Sequence, residues 1–397
     1  MKRTLFLLAA FFLFIIMLVI ALYVPNSLPV NSDFSAIYNT DLALINRIPI
    51  YDLPQVEVLA QQHSGIPPQN FFLARFPYPP WYALSTFYLG LMSAPAAATL
   101  WFELNLAMLF LSIWFLTDGW TGRLRLLAFP FGLFFLPVLG ALSVGQYDFP
   151  VLLGTSLLIY SLRRENVTLT CIGAILLTFK PHVGGLILLS ALGWLVGSRS
   201  GFGRRALRSI VLAGIALFIV GFLADPAWII SYPRMLLNYQ NEGNVSACSE
   251  CASLPVWLSR WFFDGSLSIA TRITVVLLIV LLISFYFVFS ALKTHPPGVL
   301  LTAALLITLL VSPYLYNYDF LLLLVPFAVL PRPDKLLPII IILICYFIPS
   351  FALLLLGRAG NISLILVTVV LTALLYLQLV RRPGMKNSVI DVNAREA

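Results

Sequence analysis

Apolar stretches broken by short polar punctuation fill almost the whole chain, and their lengths fall into two groups. The runs Leu5–Val24, Ala96–Leu116, Ile269–Leu292, Leu336–Leu356 and Ile362–Val380 reach the roughly 20 residues that a helix needs to cross a bilayer core of about 30 Å. The runs Leu126–Leu142, Pro150–Leu162, Leu169–Phe179, Val183–Val196, Ile210–Leu223, Val299–Val311 and Phe320–Leu330 are shorter, as expected of a bundle that holds a water- or lipid-filled notch. Read together they predict about twelve crossings. Trp81–Met92 is too short to be one of them and is expected to be interfacial or re-entrant. The apolar residues do not alternate with period two, which excludes an outer-membrane barrel. The expected fold is an all-α polytopic membrane protein, with residues 1–397 forming one integral membrane domain.

Two long polar stretches interrupt this pattern, residues 25–80 and 224–268. Long loops in compact proteins usually carry function. In the first of them, apolar and aromatic residues recur at helical spacing from Phe34 to Ile45 and again from Leu53 to His63. Both segments are expected to be amphipathic helices lying flat on the membrane.

Composition supports a membrane protein. The 397 residues are 60% hydrophobic and 10% charged, whereas soluble domains carry about 25% charged residues. Lys2-Arg3 precedes the first run, and no small-residue cleavage site follows it before Pro25, so it reads as an uncleaved span. The net charge of +8 does not indicate nucleic acid, because the cations punctuate loops instead of forming a patch. Sixteen of the 24 Lys and Arg fall in alternate loops that are assigned to the cytoplasm, together with both termini and the tail 381–397. The long stretches 25–80 and 224–268 then face outward from the plasma (inner) membrane. Cys171 and Cys345 lie in apolar runs as packing residues; Cys248 and Cys251 form either a local disulfide or two loop thiols.

This topology sends four polar clusters to one side: Asp33, Tyr38, Asp41, Tyr51 and Asp52; Arg75 and Tyr78; Gln146, Tyr147 and Asp148 with Lys180 and His182; and Tyr314 to Asp319. Polar residues at the rim of a membrane are functional by default. Simpler roles compete for several of them. Asp33 would cap the helix that follows, Asp41 and Asp52 would form turns, and Lys180 would snorkel to headgroups. Glu103 and Asn105 are expected to hydrogen-bond inside the bundle. The chemistry that uses such a set is sugar transfer from a lipid-linked phosphate. One carboxylate, Asp33, takes the proton of the acceptor hydroxyl, and Lys180 and Arg75 neutralise the leaving phosphate. Tyr38, Asp41, Tyr78, Gln146, His182, Tyr318 and Asp319 shape the substrate site. No Gly-rich phosphate loop or Asp-x-Asp pair marks a nucleotide-sugar site. No cofactor is expected, and a need for a divalent metal stays open. The rival reading is a lipid or solute transporter that uses the same outer cavity, although no internal repeat marks one.

Asp33-Phe34 with Tyr38, Tyr51-Asp52, Phe76-Pro77-Tyr78-Pro79-Pro80, Gly145-Gln146, Lys180, Ser312-Pro313 and Tyr318-Asp319 follow one another in an order that resembles glycosyltransferase family 87. The resemblance implies a GT-C fold and a polyprenyl-phosphate-sugar donor, as in the mannosyltransferases of that family. It also implies a lipid or glycan acceptor on the outer face and Asp33 as base. Tyr318-Asp319 stands where mannosyltransferase members often carry His, so mannose and other hexoses or pentoses remain open as the sugar.

Overall fold

The computed structural model describes residues 32–64, 73–198, 200–239, 251–263, 266–291, 296–313, 315–330 and 336–381. The expected first span Leu5–Val24, Cys248, Tyr314 and the tail beyond residue 381 lie outside the described residues. Among the described residues the chain is helical, and its one β feature is an isolated antiparallel bridge between Cys251 and Tyr316.

Helices α1 (Asp33–Ile45) and α2 (Leu53–Ser64) come first, as the spacing predicts. α1 is not the surface helix that its amphipathic pattern suggests. Phe34, Ala36, Ile37, Thr40, Asp41, Leu42 and Ala43 are all buried, because α1 packs against α3 (Pro80–Thr86) and the 3-10 turn Phe87–Leu91. The approach is close: a Cβ on Gly90 would stand 2.7 Å from the Asp41 carbonyl carbon. The segment 81–92 is accordingly a short helix and a turn, too short to cross. Pro80 at the first position of α3 presets its φ and sacrifices an N–H that has no partner there anyway.

Helix α4 (Ala94–Leu116) is a full-length apolar helix. The next run is a broken helix, α5 (Gly122–Leu133) and α6 (Leu136–Val144), bent by 55°. α7 (Asp148–Arg164) and α8 (Val167–Leu177) form an antiparallel pair. A Cβ on Gly154 would meet the Gly173 carbonyl oxygen at 2.8 Å, and one on Gly173 would meet the Gly154 oxygen at 2.9 Å. The facing glycines let the two backbones touch, which brings the start of α7 beside the end of α8. Asn166 caps α8 by accepting the Leu169 N–H. α9 (Pro181–Ser198), α10 (Gly201–Ala224), α11 (Trp228–Tyr239), α12 (Leu254–Phe262), α13 (Leu267–Ala291) and α14 (Pro297–Val311) follow. A 3-10 turn (Asn317–Leu323) leads into α15 (Leu324–Val329), and α16 (Leu336–Leu356) and α17 (Asn361–Arg381) complete the fold.

Four helical stretches are long and apolar enough to cross a membrane: Ala94–Leu116, Pro181–Ser198, Gly201–Ala224 and Ile340–Leu377. A fifth is added if α5 and α6 count as one. The expected twelve are not reproduced on this criterion, because Val167–Leu177, Ser268–Ser284, Pro297–Val311 and Asn317–Val329 are apolar but shorter. The core runs through one face of α4 and through α7, α14 and the 3-10 turn 317–323; in the last three the apolar residues are nearly all buried. α10 and α13 instead expose rows of Val, Leu, Ile and Phe, including Leu212, Ile215, Ile219, Val276 and Ile279. Apolar patches of this extent are not tolerated in water, and they suit contact with lipid. In α4, Asn105 points into the bundle as expected; Glu103 does not and is exposed, since it occupies the outward face two positions earlier. Cys171 and Cys345 are free thiols, and Cys251 is disulfide-bonded.

Candidate active site

The polar groups converge on a cavity of about 280 Å³, lined by Asp33, Arg75, Tyr78, Gln146, Lys180, His182, Tyr318 and Asp319, with Pro77, Tyr147, Leu236 and Tyr316 completing the wall. Six separate parts of the chain meet there, and most of them deliver their residues at a helix end. Asp33 is the first residue of α1. Gln146 follows Gly145, which ends α6 in the left-handed conformation (φ 68°). Glycine adopts this φ without the steric cost a Cβ would add, and the turn is closed by Gln146 N–H donating to the Ala141 carbonyl at 2.9 Å. Lys180 lies between α8 and Pro181, the start of α9.

The carboxylate of Asp33 accepts a hydrogen bond from Gln146 Nε2 at 2.9 Å, and the Tyr318 side chain also hydrogen-bonds to it. The Tyr147 hydroxyl donates to the Asp33 backbone carbonyl in a close contact. Burial raises the Asp33 pKa above the ordinary carboxylate value; the charge of Lys180 and the bonds from Tyr318 and Gln146 work against this without cancelling it. A carboxylate tuned upward in this way is a better proton acceptor than one in water.

Lys180 is 3% exposed. Its ammonium donates to both oxygens of Asp148, at 2.9 and 3.0 Å, and closely to Oδ1 of Asp319. Burial alone would lower its pKa, but the two carboxylates outweigh this and raise it, so the ammonium stays charged. The other oxygen of Asp319 accepts the Tyr316 N–H at 2.6 Å and closes a capping box on the 3-10 turn. Tyr316 and Tyr318 stack with ring centroids 5.1 Å apart and planes 17° apart. Lys180 therefore ties α7, the α8–α9 junction and the tyrosine-bearing turn into one unit.

A family model described as glycosyltransferase family 87 matches residues 76–313, well over half of the chain. The chain belongs to glycosyltransferase family 87. It is therefore a membrane glycosyltransferase, and family 87 gives the cavity a chemical context. The match takes in Tyr78, Gln146, Lys180 and His182, while Asp33, Arg75, Tyr318 and Asp319 lie outside it and join the cavity through the fold. No curated protein and no solved structure matches the chain.

The structure brings together eight of the ten residues expected at the site and leaves out Tyr38 and Asp41. Both lie on α1, but further along it, and Asp41 is about 12 Å of helix rise from Asp33. The Tyr38 hydroxyl donates to the Met92 carbonyl at 3.0 Å, and Asp41 is fully buried and accepts from Thr86 Oγ1 at 3.1 Å. Both act in packing α1 against the 81–92 segment. Lys180 is inside the cavity wall as expected, but as the centre of an ion cluster. Asp148, a member of the third polar cluster, was not expected to be its partner. Leu236 was not expected at all, since one leucine within the apolar triplet Met235-Leu236-Leu237 gives no signal. Among the described residues no group of three or more His, Cys, Asp or Glu could hold a metal ion. The largely apolar groove of about 260 Å³ between α4, α5, α15 and α16 lies at the far end of α4, from Ile113 onward, and no charged side chain lines it.

Proposed function

We propose that the chain transfers a sugar from a polyprenyl-phosphate donor to an acceptor hydroxyl on the outer face of the membrane, with inversion at the anomeric carbon. The acceptor oxygen attacks that carbon as its proton passes to the Asp33 carboxylate. The bond between the anomeric carbon and the phosphate oxygen breaks, and its electron pair leaves with the polyprenyl phosphate. Asp33 then releases the proton to water. A single displacement of this kind inverts the configuration, and one positioned carboxylate suffices for it.

The observation that carries this reading is the meeting of Asp33 and Arg75 in one cavity, a base for the nucleophile and a cation for the leaving group. Lys180 is held between Asp148 and Asp319 at the back of the cavity, and Arg75 is the guanidinium on its wall that meets the phosphate. A guanidinium also meets two phosphate oxygens at once, which an ammonium does not. His182, exposed on the cavity wall, adds a hydrogen-bond donor near the same phosphate. The stacked Tyr316 and Tyr318 rings offer a flat face to the sugar.

The test is a panel of radiolabelled polyprenyl-phosphate sugars and nucleotide sugars, offered to purified protein in lipid nanodiscs with a mixed lipid and glycan acceptor pool. Transfer from a polyprenyl-phosphate sugar alone supports the reading. Transfer from a nucleotide sugar, or from no polyprenyl-linked donor, overturns it.

A further inference from the structure

Gln146 is 2% exposed, and its polar atoms are committed in a way that fixes its direction. Its Oε1 accepts the N–H of Tyr147 at 2.7 Å. A backbone N–H only donates, so the amide oxygen must lie on that side and the Nε2 group must face Asp33. Nε2 then donates to Oδ2 of Asp33 at 2.9 Å. The backbone of Gln146 is held with equal firmness. Its N–H closes the Gly145 turn onto Ala141, its carbonyl accepts Asn105 Nδ2 at 3.4 Å, and the carbonyl of Gly145 accepts Trp101 Nε1 at 2.9 Å. Tyr147, the next residue, grips the backbone carbonyl of Asp33 through its hydroxyl. The dipeptide Gln146-Tyr147 thus holds Asp33 at two points, a main-chain oxygen and one carboxylate oxygen, from a turn that α4 anchors inside the bundle.

We propose that Gln146 is a positioning residue for the general base: by pinning Oδ2 of Asp33 it fixes the direction in which the carboxylate meets the acceptor hydroxyl. This rests on Asp33 being the base, and it replaces the expectation that Gln146 binds the sugar. The arrangement matters because a carboxylate free to rotate about its Cβ–Cγ bond presents either oxygen at any angle. Reactions of this kind lose about 100-fold in rate for a misplacement of roughly 1 Å. The bond also favours the ionised form of Asp33. The groups facing Asp33 from the packed elements are Lys180 and His182 at the start of α9, Tyr318 and Asp319 on the 3-10 turn, and Arg75 and Tyr78 from the 73–79 segment, with Asp148 behind Lys180. None of them changes when Gln146 is replaced.

Two variants test the proposal. Gln146→Leu removes the donor. Gln146→Glu keeps the shape and the acceptor for Tyr147 N–H but sets a second carboxylate against Oδ2, and it keeps the test open if the leucine variant misfolds. The expected result for Gln146→Leu is a kcat lower by about 10- to 100-fold with donor and acceptor KM within about threefold of wild type. The acid limb of the rate profile moves to higher pH in Gln146→Leu, and further in Gln146→Glu, where two carboxylates compete for ionisation. A raised KM with an unchanged kcat and acid limb overturns the proposal and makes Gln146 a substrate ligand. A second readout needs no substrate. The infrared carboxyl band that disappears in Asp33→Asn is titrated in resting protein, and it must titrate at higher pH in Gln146→Leu than in wild type. An unshifted band overturns the Gln146 proposal even if transfer is observed. A shifted band in a protein whose Asp33→Asn form still transfers sugar leaves the Gln146 contact standing and defeats the base assignment instead.

Discussion

Replacing Lys180 by methionine separates two roles that the sequence alone does not distinguish. The stem keeps its length and its apolar contacts, and only the charge goes. In the folded protein the ammonium is 3% exposed and contacts two carboxylates that are themselves fully buried. Removing the cation leaves Asp148 and Asp319 facing each other in a dry site, and removing one partner of a buried ion pair costs about 3–5 kcal/mol. The loss is at the low end of that range if one carboxylate takes up a proton and bonds the other. Because the pKa of Lys180 is raised by folding, its stabilisation is fully present below the ordinary lysine value and disappears only in strong alkali, so any neutral buffer serves. The assay is SDS-driven unfolding of the purified protein followed by tryptophan fluorescence, on wild type, Lys180→Met and the triple variant Lys180→Met, Asp148→Asn, Asp319→Asn. The single variant should lose stability by that margin. The triple variant should recover much of it, since a neutral hydrogen-bonded cluster has no unpaired charge to bury. A Lys180→Met protein that unfolds like wild type yet no longer binds polyprenyl phosphate would refute the reasoning and return Lys180 to the phosphate.

Two other residues give independent checks. Asp41 is fully buried, one of its oxygens has no partner, and burial raises its pKa well above the ordinary value despite the bond from Thr86. The folded state therefore holds this proton more tightly than the unfolded state, and its stability falls as pH climbs from about 4 toward the raised value. Asp41→Asn should remove that slope, match or exceed wild-type thermal stability at pH 7, and leave transfer kinetics unchanged; a loss of activity without a loss of stability would place Asp41 in the site after all. At Gly184, four residues after Lys180, a Cβ would stand 2.1 Å from the Leu177 carbonyl oxygen. Gly184→Ala should destabilise by about 1–3 kcal/mol through overpacking, read by the same unfolding assay, and an unchanged midpoint would show that α9 can shift away.

Much of the site was legible because polar residues in an apolar chain are conspicuous. Asp33, Gln146, Lys180 and Asp319 each stand at the end of an apolar run, and a consistent topology sends such ends to one side. Their partners were less legible. Nothing in the spacing of Asp148, Lys180 and Asp319 reveals that three residues so far apart in sequence form one ion cluster, and so the sequence alone points the cation at the phosphate. Nearness in sequence groups Tyr38 and Asp41 with Asp33, but helical geometry carries them away from the cavity to the contact with the 81–92 segment. The burial of α1 was hidden for a related reason. Its pattern of apolar residues is that of a surface helix, and its packing against α3 and the Phe87–Leu91 turn buries the remaining face. The crossing count relied on apolarity, which marks a run without setting its length, and helices of 11 to 17 residues are too short on that measure.

In the proposed mechanism Asp33 removes the acceptor proton inside the cavity it shares with Arg75. The direct measurement is kcat/KM for transfer from the preferred polyprenyl-phosphate sugar by wild type and Asp33→Asn, with donor affinity measured on the same two proteins. The expected loss is about 100- to 10,000-fold, the usual worth of a general base, with donor binding intact. An Asp33→Asn protein that transfers sugar at a rate near wild type would contradict it.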